Sequence, residues 1–365
     1  MPEVLRPSDY GICLPSENDL TTEDEDYICE FLEKYLKLNR SFKNDSIMFF
    51  LKLVTQGYIN MKRAIVAGST GFIGSALVKV LLEKGIHVLA LGRKPLTSTS
   101  FSLLAENHYL TYVKIDNSNI NDLSSHLTKL SWKPEDACVF YNFSWVGSNC
   151  LTDGGFEEQF SNVIHAVEMV KIAKELGCSK FISVGSQEET LMEKYLEGSW
   201  KEHAFDSPHD IYAVAKISCR DQSKLSAYLN KIDFIHTTFS VPICEKLEGK
   251  GYPNSTLKKI YHNEKYDLPV SSQLFDFIPL LELARAYYLI GMSAENKSEY
   301  YIGSGAPRTL SENFLIFSSI IEGKNIDKSK NDKQSSEFNV GPIAENLGFE
   351  LKYGFEDIIK KMRKI

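Results

Sequence analysis

The feature that most constrains the fold of this chain is a run of three glycines at residues 68–74, GSTGFIG. It follows a short apolar stretch at residues 64–67 and opens a segment in which Leu77, Val78 and Leu81 recur at helical spacing. A strand, a tight turn and a helix are therefore predicted in that order. Glycines in such a turn leave the approach to the helix N-terminus open, where backbone amides can hold a phosphate. The run indicates a dinucleotide-binding turn, although by itself it is a weak motif.

A second motif lies far downstream, in the segment YAVAK at residues 212–216. Its spacing places the phenol of Tyr212 and the ammonium of Lys216 on one face of a predicted helix. Taken alone, such a pair is often just a packed ring and a solvated amine. The glycine turn upstream favours a catalytic pair instead.

Composition sets the class of protein. With 365 residues, of which 43% are hydrophobic, the chain can bury a large core and is expected to form one substantial domain plus an accessory one. A net charge of −7 without a basic patch argues against nucleic-acid binding. The N-terminus has no basic flank or apolar run, and the nearby apolar stretch at residues 47–51 is too short to span a bilayer. We expect a cytoplasmic protein without membrane insertion.

The seven cysteines form no CxxC pair, are odd in number and mostly lie in apolar stretches. This usage is typical of reduced core thiols in an intracellular protein, so neither disulfides nor a metal site is predicted. The cysteines are Cys13, Cys29, Cys138, Cys150, Cys178, Cys219 and Cys244.

From Met61 onward, predicted strands and helices alternate, and the strands are continuously apolar. This pattern predicts an α/β fold with a doubly wound parallel Rossmann sheet over residues 61–242. After residue 242 the pattern loosens, which predicts a small substrate lobe over residues 243–365, interleaved with the end of the sheet. Strands are predicted at residues 62–69, 87–93, 111–116, 137–143, 180–186 and 234–240, and helices at residues 73–83, 156–176 and 212–229.

Residues 1–60 differ in character from the rest. An acidic opening leads to two amphipathic helical patterns, at residues 25–38 and 46–56, which predict an appended helical extension. The Asp45-Ser46-Ile47 segment resembles the serine motif that carries phosphopantetheine in carrier proteins, but an N-cap of the following helix is the simpler interpretation.

With these motifs assembled, the chain from about Met61 onward resembles the extended short-chain dehydrogenase/reductase family, whose members act on nucleotide-activated sugars. The glycine run matches the family's TGxxGxxG turn, and residues 212–216 match its YxxxK pair. Residues 275–278 and 300–305 are similar to its "RDFIYV" and "YNIGSG" stretches. Ser186 stands at the strand end where the family has its catalytic serine or threonine, while Ser183, three residues earlier in the same strand, remains an alternative.

The resemblance implies a division of labour in the reduction of a ketone. Tyr212 is expected to donate the proton, and Ser186 to donate a hydrogen bond to the carbonyl oxygen. Lys216 is expected to favour the phenolate form of Tyr212 and to bind the nicotinamide ribose. Asn162 is expected to organise the site. The cofactor is assigned to Gly68, Thr70, Gly71, Phe72, Ile73, Gly74, Asp116, Asn142, Phe143, Ser144, Tyr212 and Lys216.

The end of the second strand bears on the choice of cofactor. NAD-binding proteins usually present a carboxylate there, whereas this chain reads LGRKP at residues 91–95. A guanidinium can pair with the 2′-phosphate of NADP. We therefore predict NADP(H), with Arg93 as the main contact and Lys94 assisting; an exposed basic loop unrelated to the cofactor is the alternative.

The residues after Ser186 bear on the reaction. Sugar dehydratases of the family follow the catalytic threonine with Asp-Glu, but here the next residues are Gln187 and Glu188, and an amide cannot act as a general acid. The segments at residues 142–145 and 185–188 resemble those of reductases that make deoxysugars for surface polysaccharides. We predict NADPH-dependent reduction of the C4 ketone of a nucleotide-linked 4-keto-6-deoxyhexose. An epimerase that retains its cofactor and a non-catalytic NADPH sensor are the alternatives.

Four residues are candidate substrate contacts: Trp145, Gln187, Glu188 and Arg308. Trp145 is expected to pack on the sugar or the nicotinamide; ordinary packing in the core is the alternative. Phe275 stands where the family often has an arginine that anchors the diphosphate, so Arg308 is a candidate replacement, with an idle loop arginine as the alternative. The resemblance also implies a homodimer built on the helices at residues 156–176 and 212–229.

Overall fold

A computed structural model describes residues 61–104, 106–130, 132, 137–147, 155–197, 210–271, 273–324 and 336–363. These residues belong to one of the two units into which the chain divides, residues 60–365. The helical extension predicted over residues 1–60, with its Asp45-Ser46 segment, lies outside the described residues.

The described strands and helices alternate along most of the chain. The strands are β1 Arg63–Ala67, β2 His87–Gly92, β3 Leu110–Lys114, β4 Cys138–Asn142, β5 Lys180–Val184, β6 Asp233–Phe239, β7 Val241–Ile243, β8 Leu274–Phe275, β9 Phe277–Pro279, β10 Glu299–Ile302 and β11 Arg308–Thr309. The helices are α1 Phe72–Glu83, α2 Leu123–Leu130, α3 Phe156–Glu175, α4 Gln187–Glu197, α5 Asp210–Asn230, α6 Tyr252–Tyr261, α7 Leu280–Ser293, α8 Leu310–Glu322, α9 Gly341–Leu347 and α10 Phe355–Arg363.

The central sheet has seven strands in the order β3-β2-β1-β4-β5-β6-β10, and every pairing in it is parallel. The predicted doubly wound α/β fold is confirmed, and all six predicted strands lie in this sheet. Strand β10 is a seventh strand that we did not predict, because its four residues are too few to show a periodic pattern.

Helices cover both faces of the sheet, and alternate residues of each strand enter opposite layers. In β1, Ala64 and Val66 pack with α1 and α7. Ile65 and Ala67 face the other layer, which α2, α3 and α5 cover. Because β1, β4 and β5 are parallel neighbours, their carboxyl ends lie at the same edge of the sheet.

A smaller set of elements follows β6. Strand β7 pairs with β9 in parallel and β8 pairs with β11 antiparallel. Helices α6, α8 and α10 enclose a separate apolar cluster that includes Leu257, Phe314 and Ile359. The same stretch of chain also contributes to the central layers: β10 is a strand of the sheet, and α7 packs on one of its faces. The domain limits predicted from the sequence stay a prediction.

No helix in the described ranges is long and apolar enough to cross a membrane. The cysteines that the structure describes, Cys138, Cys178, Cys219 and Cys244, are free thiols. Within those same ranges, no group of three or more histidine, cysteine, aspartate or glutamate side chains is arranged to hold a metal ion.

Candidate active site

The glycine turn lies between β1 and α1. Gly68 has a φ of 72°, and a Cβ there would lie 2.6 Å from the carbonyl carbon of Phe143. The Ser69 hydroxyl donates a hydrogen bond to the Leu91 carbonyl at 2.8 Å, which ties the turn to β2. Gly71 precedes α1, where no side chain caps the helix and no acidic residue lies in the first turn. The first amides of α1 are therefore open to a phosphate, so the turn fits a dinucleotide.

Two cations and one carboxylate lie near the ends of β2 and β3. Arg93 and Lys94 are exposed, and the Lys94 carbonyl accepts a hydrogen bond from the Tyr112 hydroxyl at 2.6 Å. The hydrogen bond from the Ser118 amide lowers the pKa of Asp116, and the positive charge of Arg93 adds to that effect. Arg93 and Asp116 are thus close enough to interact.

The loop after β4 is fixed by two asparagines. The buried Asn142 accepts hydrogen bonds from the amide and hydroxyl of Ser144 at 3.1 and 2.6 Å. Asn162 on α3 accepts from the amide of Val146 at 2.8 Å and donates to its carbonyl at 3.0 Å. The amide of Phe143 donates to the Ala67 carbonyl at 2.9 Å, which keeps this loop against the glycine turn.

Ser186, Tyr212 and Lys216 come together at this edge. Ser186 follows β5, and its hydroxyl accepts the amide of Glu188 at 3.3 Å. The phenol of Tyr212 lies near enough to Ser186 for an interaction between the two side chains to influence the pKa of Tyr212. The alternative, Ser183, is buried inside β5. Burial raises the pKa of Tyr212 well above its usual value, against the smaller opposing effect of Ser186, so the side chain is a neutral proton donor at neutral pH.

The ammonium of Lys216 is buried beside this pair. Its Nζ donates a hydrogen bond to the Val184 carbonyl at 3.0 Å. Burial lowers the pKa of Lys216, since the charged form loses its water. The Nζ also lies 3.8 Å from the ring centroid of Trp145 and 5.8 Å from that of Tyr212. Trp145 packs edge-on against Tyr212, with centroids 5.8 Å apart and planes at 82°.

The sequence patterns did not indicate the network of interacting side chains that lies next to Ser186. Glu189 on α4 accepts the Ser186 amide at 2.8 Å and lies 2.9 Å from Nε2 of His236 on β6. Arg220, two turns beyond Tyr212 on α5, approaches Glu189 at 4.0 Å and pairs with Glu193 at 2.9 Å. The spacing of Tyr212, Lys216 and Arg220 on one helix face was the one signal in the sequence that pointed toward this network.

The model of the NAD dependent epimerase/dehydratase family matches residues 64–303. The chain belongs to this family. No functionally curated protein matches the sequence.

Three solved structures with the same fold have low sequence identity to this family member. A UDP-glucose 4-epimerase from Thermotoga maritima, crystallised with UDP-glucose, is 17% identical with a TM-score of 0.63, over 83% of this chain and 97% of that one. A UDP-N-acetylglucosamine 4-epimerase from Methanobrevibacter ruminantium, in complex with UDP-N-acetylmuramic acid, is 20% identical with a TM-score of 0.61 over the same shares. The Bordetella bronchiseptica enzyme WbmF, in complex with NAD⁺ and UDP, is 17% identical with a TM-score of 0.62, over 83% of this chain and 91% of that one. At these identities the likeness is one of fold.

In this family member, the two residues after Ser186 have different surroundings. Gln187 is buried, and its Nε2 donates to the Leu274 carbonyl at 3.0 Å, so it connects α4 to β8. Burial raises the pKa of Glu188, whose charge in turn raises the pKa of Tyr212. Glu188 therefore lies near Tyr212, whereas Gln187 connects α4 to β8.

The two later stretches that resemble the family are joined by Asp276. Its buried carboxylate accepts hydrogen bonds from the Tyr301 hydroxyl and the Gly305 amide, both at 3.0 Å, and from the amide and hydroxyl of Ser304. One position before it, Phe275 pairs with Arg308 across β8 and β11. Arg308 thus lies directly opposite the position at which the family often has an arginine.

Proposed function

We propose that this protein reduces the C4 ketone of a nucleotide-linked 4-keto-6-deoxyhexose with NADPH, giving a deoxysugar for polysaccharide biosynthesis. The observation that supports this best is the placement of the neutral Tyr212 phenol next to Ser186, beside the buried Lys216 ammonium. A ketone oxygen placed between these two hydroxyls would have one group to steady it and one to protonate it.

The work of each residue follows from its position. Ser186, held by its own backbone bond to Glu189, would donate a hydrogen bond to the substrate oxygen. Tyr212 would transfer its proton to that oxygen as negative charge develops. Lys216 would stabilise the phenolate left behind, because an ammonium near the ring favours the charged form. The bound dinucleotide supplies the hydride.

The proposed preference for NADPH rests on the end of β2. Arg93 and Lys94 are exposed there, and the segment LGRKP contains no carboxylate that would favour a ribose 2′-hydroxyl. The guanidinium of Arg93 is therefore available to a 2′-phosphate. Similar structures contain NAD⁺ or NADH, as in WbmF, so NAD is the competing cofactor.

Nucleotide-linked sugars are the proposed substrate class. The structures of the epimerases from Thermotoga maritima and Methanobrevibacter ruminantium contain UDP-linked ligands. In this chain, Arg308 has the chemistry to bind a diphosphate: Phe275 opposite it brings no charge, and its ion pair with the partly exposed Glu356 is long, at 4.0 Å. Trp145 and Glu188 lie near Tyr212.

Epimerisation is the second candidate, favoured by the shared fold with the two 4-epimerases. It uses the same proton donor, but it returns the hydride to the sugar and consumes no cofactor. A non-catalytic NADPH sensor is a third possibility, which the arrangement of Ser186, Tyr212 and Lys216 disfavours.

A homodimer in the cytoplasm completes the proposal. Helices α3 and α5 expose large apolar side chains on their outer surface, a pattern that a second copy would cover. These side chains are Phe156, Ile164, Ile211, Val214, Leu225 and Leu229. The free thiols support a reducing compartment.

A spectrophotometric assay tests the proposed reaction. The full-length protein is mixed with a panel of nucleotide-linked 4-keto-6-deoxysugars, with NADPH and NADH run in parallel. We expect loss of absorbance from NADPH with one sugar, and no loss with Tyr212→Phe. Isomerisation of a sugar without cofactor consumption would establish the epimerase instead, and no reaction with any sugar would favour the sensor.

A further inference from the structure

Trp145 does more than border the candidate site: it provides the surface on which the Lys216 ammonium lies. The Nζ atom is 3.8 Å from the centroid of the indole ring, well within the roughly 6 Å at which a cation is attracted to an aromatic face. A second contact of Nζ is its hydrogen bond to the Val184 carbonyl at 3.0 Å. The ammonium thus has two contacts, a strand carbonyl and an aromatic face.

The indole is itself fixed. Its Nε1 donates a hydrogen bond to Oε1 of Gln159 on α3 at 2.8 Å, and Gln159 is fully buried. Gly147, with a φ of 82°, passes so close that a Cβ there would lie 2.5 Å from Nε2 of Gln159. The ring also packs against the buried cluster formed by Val163, Ala166, Ala215 and Cys219. An aromatic ring that is fixed in this way can determine the position of the ammonium group at the end of the flexible Lys216 side chain.

The charges around Lys216 explain why an aromatic face matters there. Burial disfavours the ammonium, and the groups that oppose this effect are Cys219, one turn along α5, and Glu189 on α4. Glu189 is already bonded to the Ser186 amide and His236. Tyr212, the other titratable group beside Lys216, is neutral at neutral pH. The face of Trp145, whose centroid is 3.8 Å from Nζ, adds an electron-rich surface that favours the charged form of Lys216.

We propose that Trp145 is a positioning residue for Lys216: its indole face, oriented by Gln159, holds the ammonium charged and in place beside Tyr212. This role differs from the two that the sequence left open, a contact with sugar or nicotinamide and ordinary core packing. It rests on the proposed function only for its effect on turnover, because the contact between Trp145 and Lys216 can be measured without any substrate.

The contact is tested by titrating the tryptophan emission of the full-length protein between pH 6 and pH 11. We expect a change in emission as Lys216 loses its proton, with a midpoint below the ordinary lysine value of about 10.4. The change should be absent from Lys216→Met and from Lys216→Arg, which keeps a charge that does not titrate. It should also be absent from Trp145→Phe. An unchanged titration in Lys216→Met would overturn the proposal.

The effect on catalysis is tested by the pH dependence of the reductase reaction. Trp145→Leu should lower kcat about tenfold and move the basic limb of the profile down by about one pH unit, because the charged lysine loses a favourable contact. Trp145→Phe, which keeps an aromatic ring, should shift the basic limb less. The shift in Gln159→Leu should be smaller than the shift in Trp145→Leu. A rise in KM for the sugar with kcat and the limb unchanged would make Trp145 a substrate contact instead.

The two experiments separate the two proposals. If the emission titration behaves as expected and no sugar is reduced, the proposed reaction is wrong and the positioning of Lys216 stands. If a sugar is reduced and the titration is the same in wild type and Lys216→Met, the reaction stands and the role of Trp145 is wrong.

Discussion

Nε2 of His236 lies 2.9 Å from Oε2 of Glu189, with both side chains buried. Burial alone would raise the pKa of Glu189, but the charge and hydrogen bond of His236, together with Lys216 and the Ser186 amide, hold it below its usual value. An ionised carboxylate only accepts hydrogen bonds, so Nε2 carries the proton and donates it. The pair therefore connects β6 to the turn that presents Ser186.

Replacing Glu189 with glutamine should cost stability in a pH-dependent way. Because the folded-state pKa of Glu189 is lowered, its contribution is present above the unfolded value of about 4.3 and is lost as the pH falls through the folded-state value. Glu189→Gln should lower the free energy of unfolding by about 1 to 3 kcal/mol at pH 7, and by less at pH 3.5. Urea unfolding at both pH values measures this difference. Glu193→Gln, a half-exposed partner of Arg220, is the matched control; a loss in Glu189→Gln that is equal at both pH values would contradict the account.

Arg93 should determine the choice between NADPH and NADH. A charge-assisted hydrogen bond contributes about 1.5 to 3 kcal/mol, so Arg93→Ser should raise KM for NADPH by about 10-fold to 100-fold and leave KM for NADH almost unchanged. Steady-state kinetics with each cofactor provide the measurement. Lys94→Ser is the matched control and should have a smaller effect. Equal losses with both cofactors would show that Arg93 does not contact the 2′-phosphate.

Arg308 should bind the diphosphate of the substrate in place of an arginine at position 275. Arg308→Ala should raise KM for the nucleotide sugar at least about tenfold and change kcat little, since the interaction is the same in the ground and transition states. Because Phe275 lies opposite Arg308 across β8 and β11, adding Phe275→Arg to Arg308→Ala should restore KM. A fall in kcat without a change in KM, or no recovery in the double variant, would contradict the assignment.

Lys180 should destabilise the protein at neutral pH. It is 2% exposed, its Nζ donates to the Gly291 carbonyl at 3.2 Å, and burial lowers its pKa to about 8. Between that value and about 10.4 the unfolded chain binds more protons, so the free energy of unfolding should rise with pH. Lys180→Met should stabilise the protein by about 2 kcal/mol at pH 7 and by much less at pH 10.

Urea unfolding at the two pH values checks the prediction for Lys180. Lys171→Met, which removes a lysine with 46% of its side chain exposed, is the control and should show no such dependence. A Lys180→Met variant less stable than wild type at pH 7 would mean that the hydrogen bond to Gly291 outweighs the cost of burying the charge.

Much of the fold could be predicted because local patterns carried it. The continuous apolar strands predicted a sheet covered on both faces, and the glycine run predicted the turn between β1 and α1. The spacing of Tyr212 and Lys216 predicted one helix face, and both side chains are buried at the same edge of the sheet. Strand β10 was missed, because a four-residue strand has no measurable period.

The contacts that shape the site were not predictable in the same way. Glu189 and His236 are 47 residues apart on different elements, and a histidine inside β6 interrupts an apolar strand without indicating its partner. The contact of Trp145 with Lys216 depends on the loop after β4, whose path is set by Asn162 and the glutamine at position 159. Such contacts follow from tertiary packing, which single-residue patterns do not contain.

The most direct test of the proposed reaction follows the hydride. NADPH deuterated at C4 of the nicotinamide, in both stereoisomers, is incubated with the full-length protein and the 4-keto-6-deoxysugar that it accepts, and the product is examined by mass spectrometry and NMR. We predict one deuterium at C4 of the sugar from one of the two stereoisomers, with one NADP⁺ formed for each product molecule and neither formed by Tyr212→Phe. An altered sugar without deuterium and without NADP⁺ would contradict the reductase and establish internal hydride return, as in an epimerase.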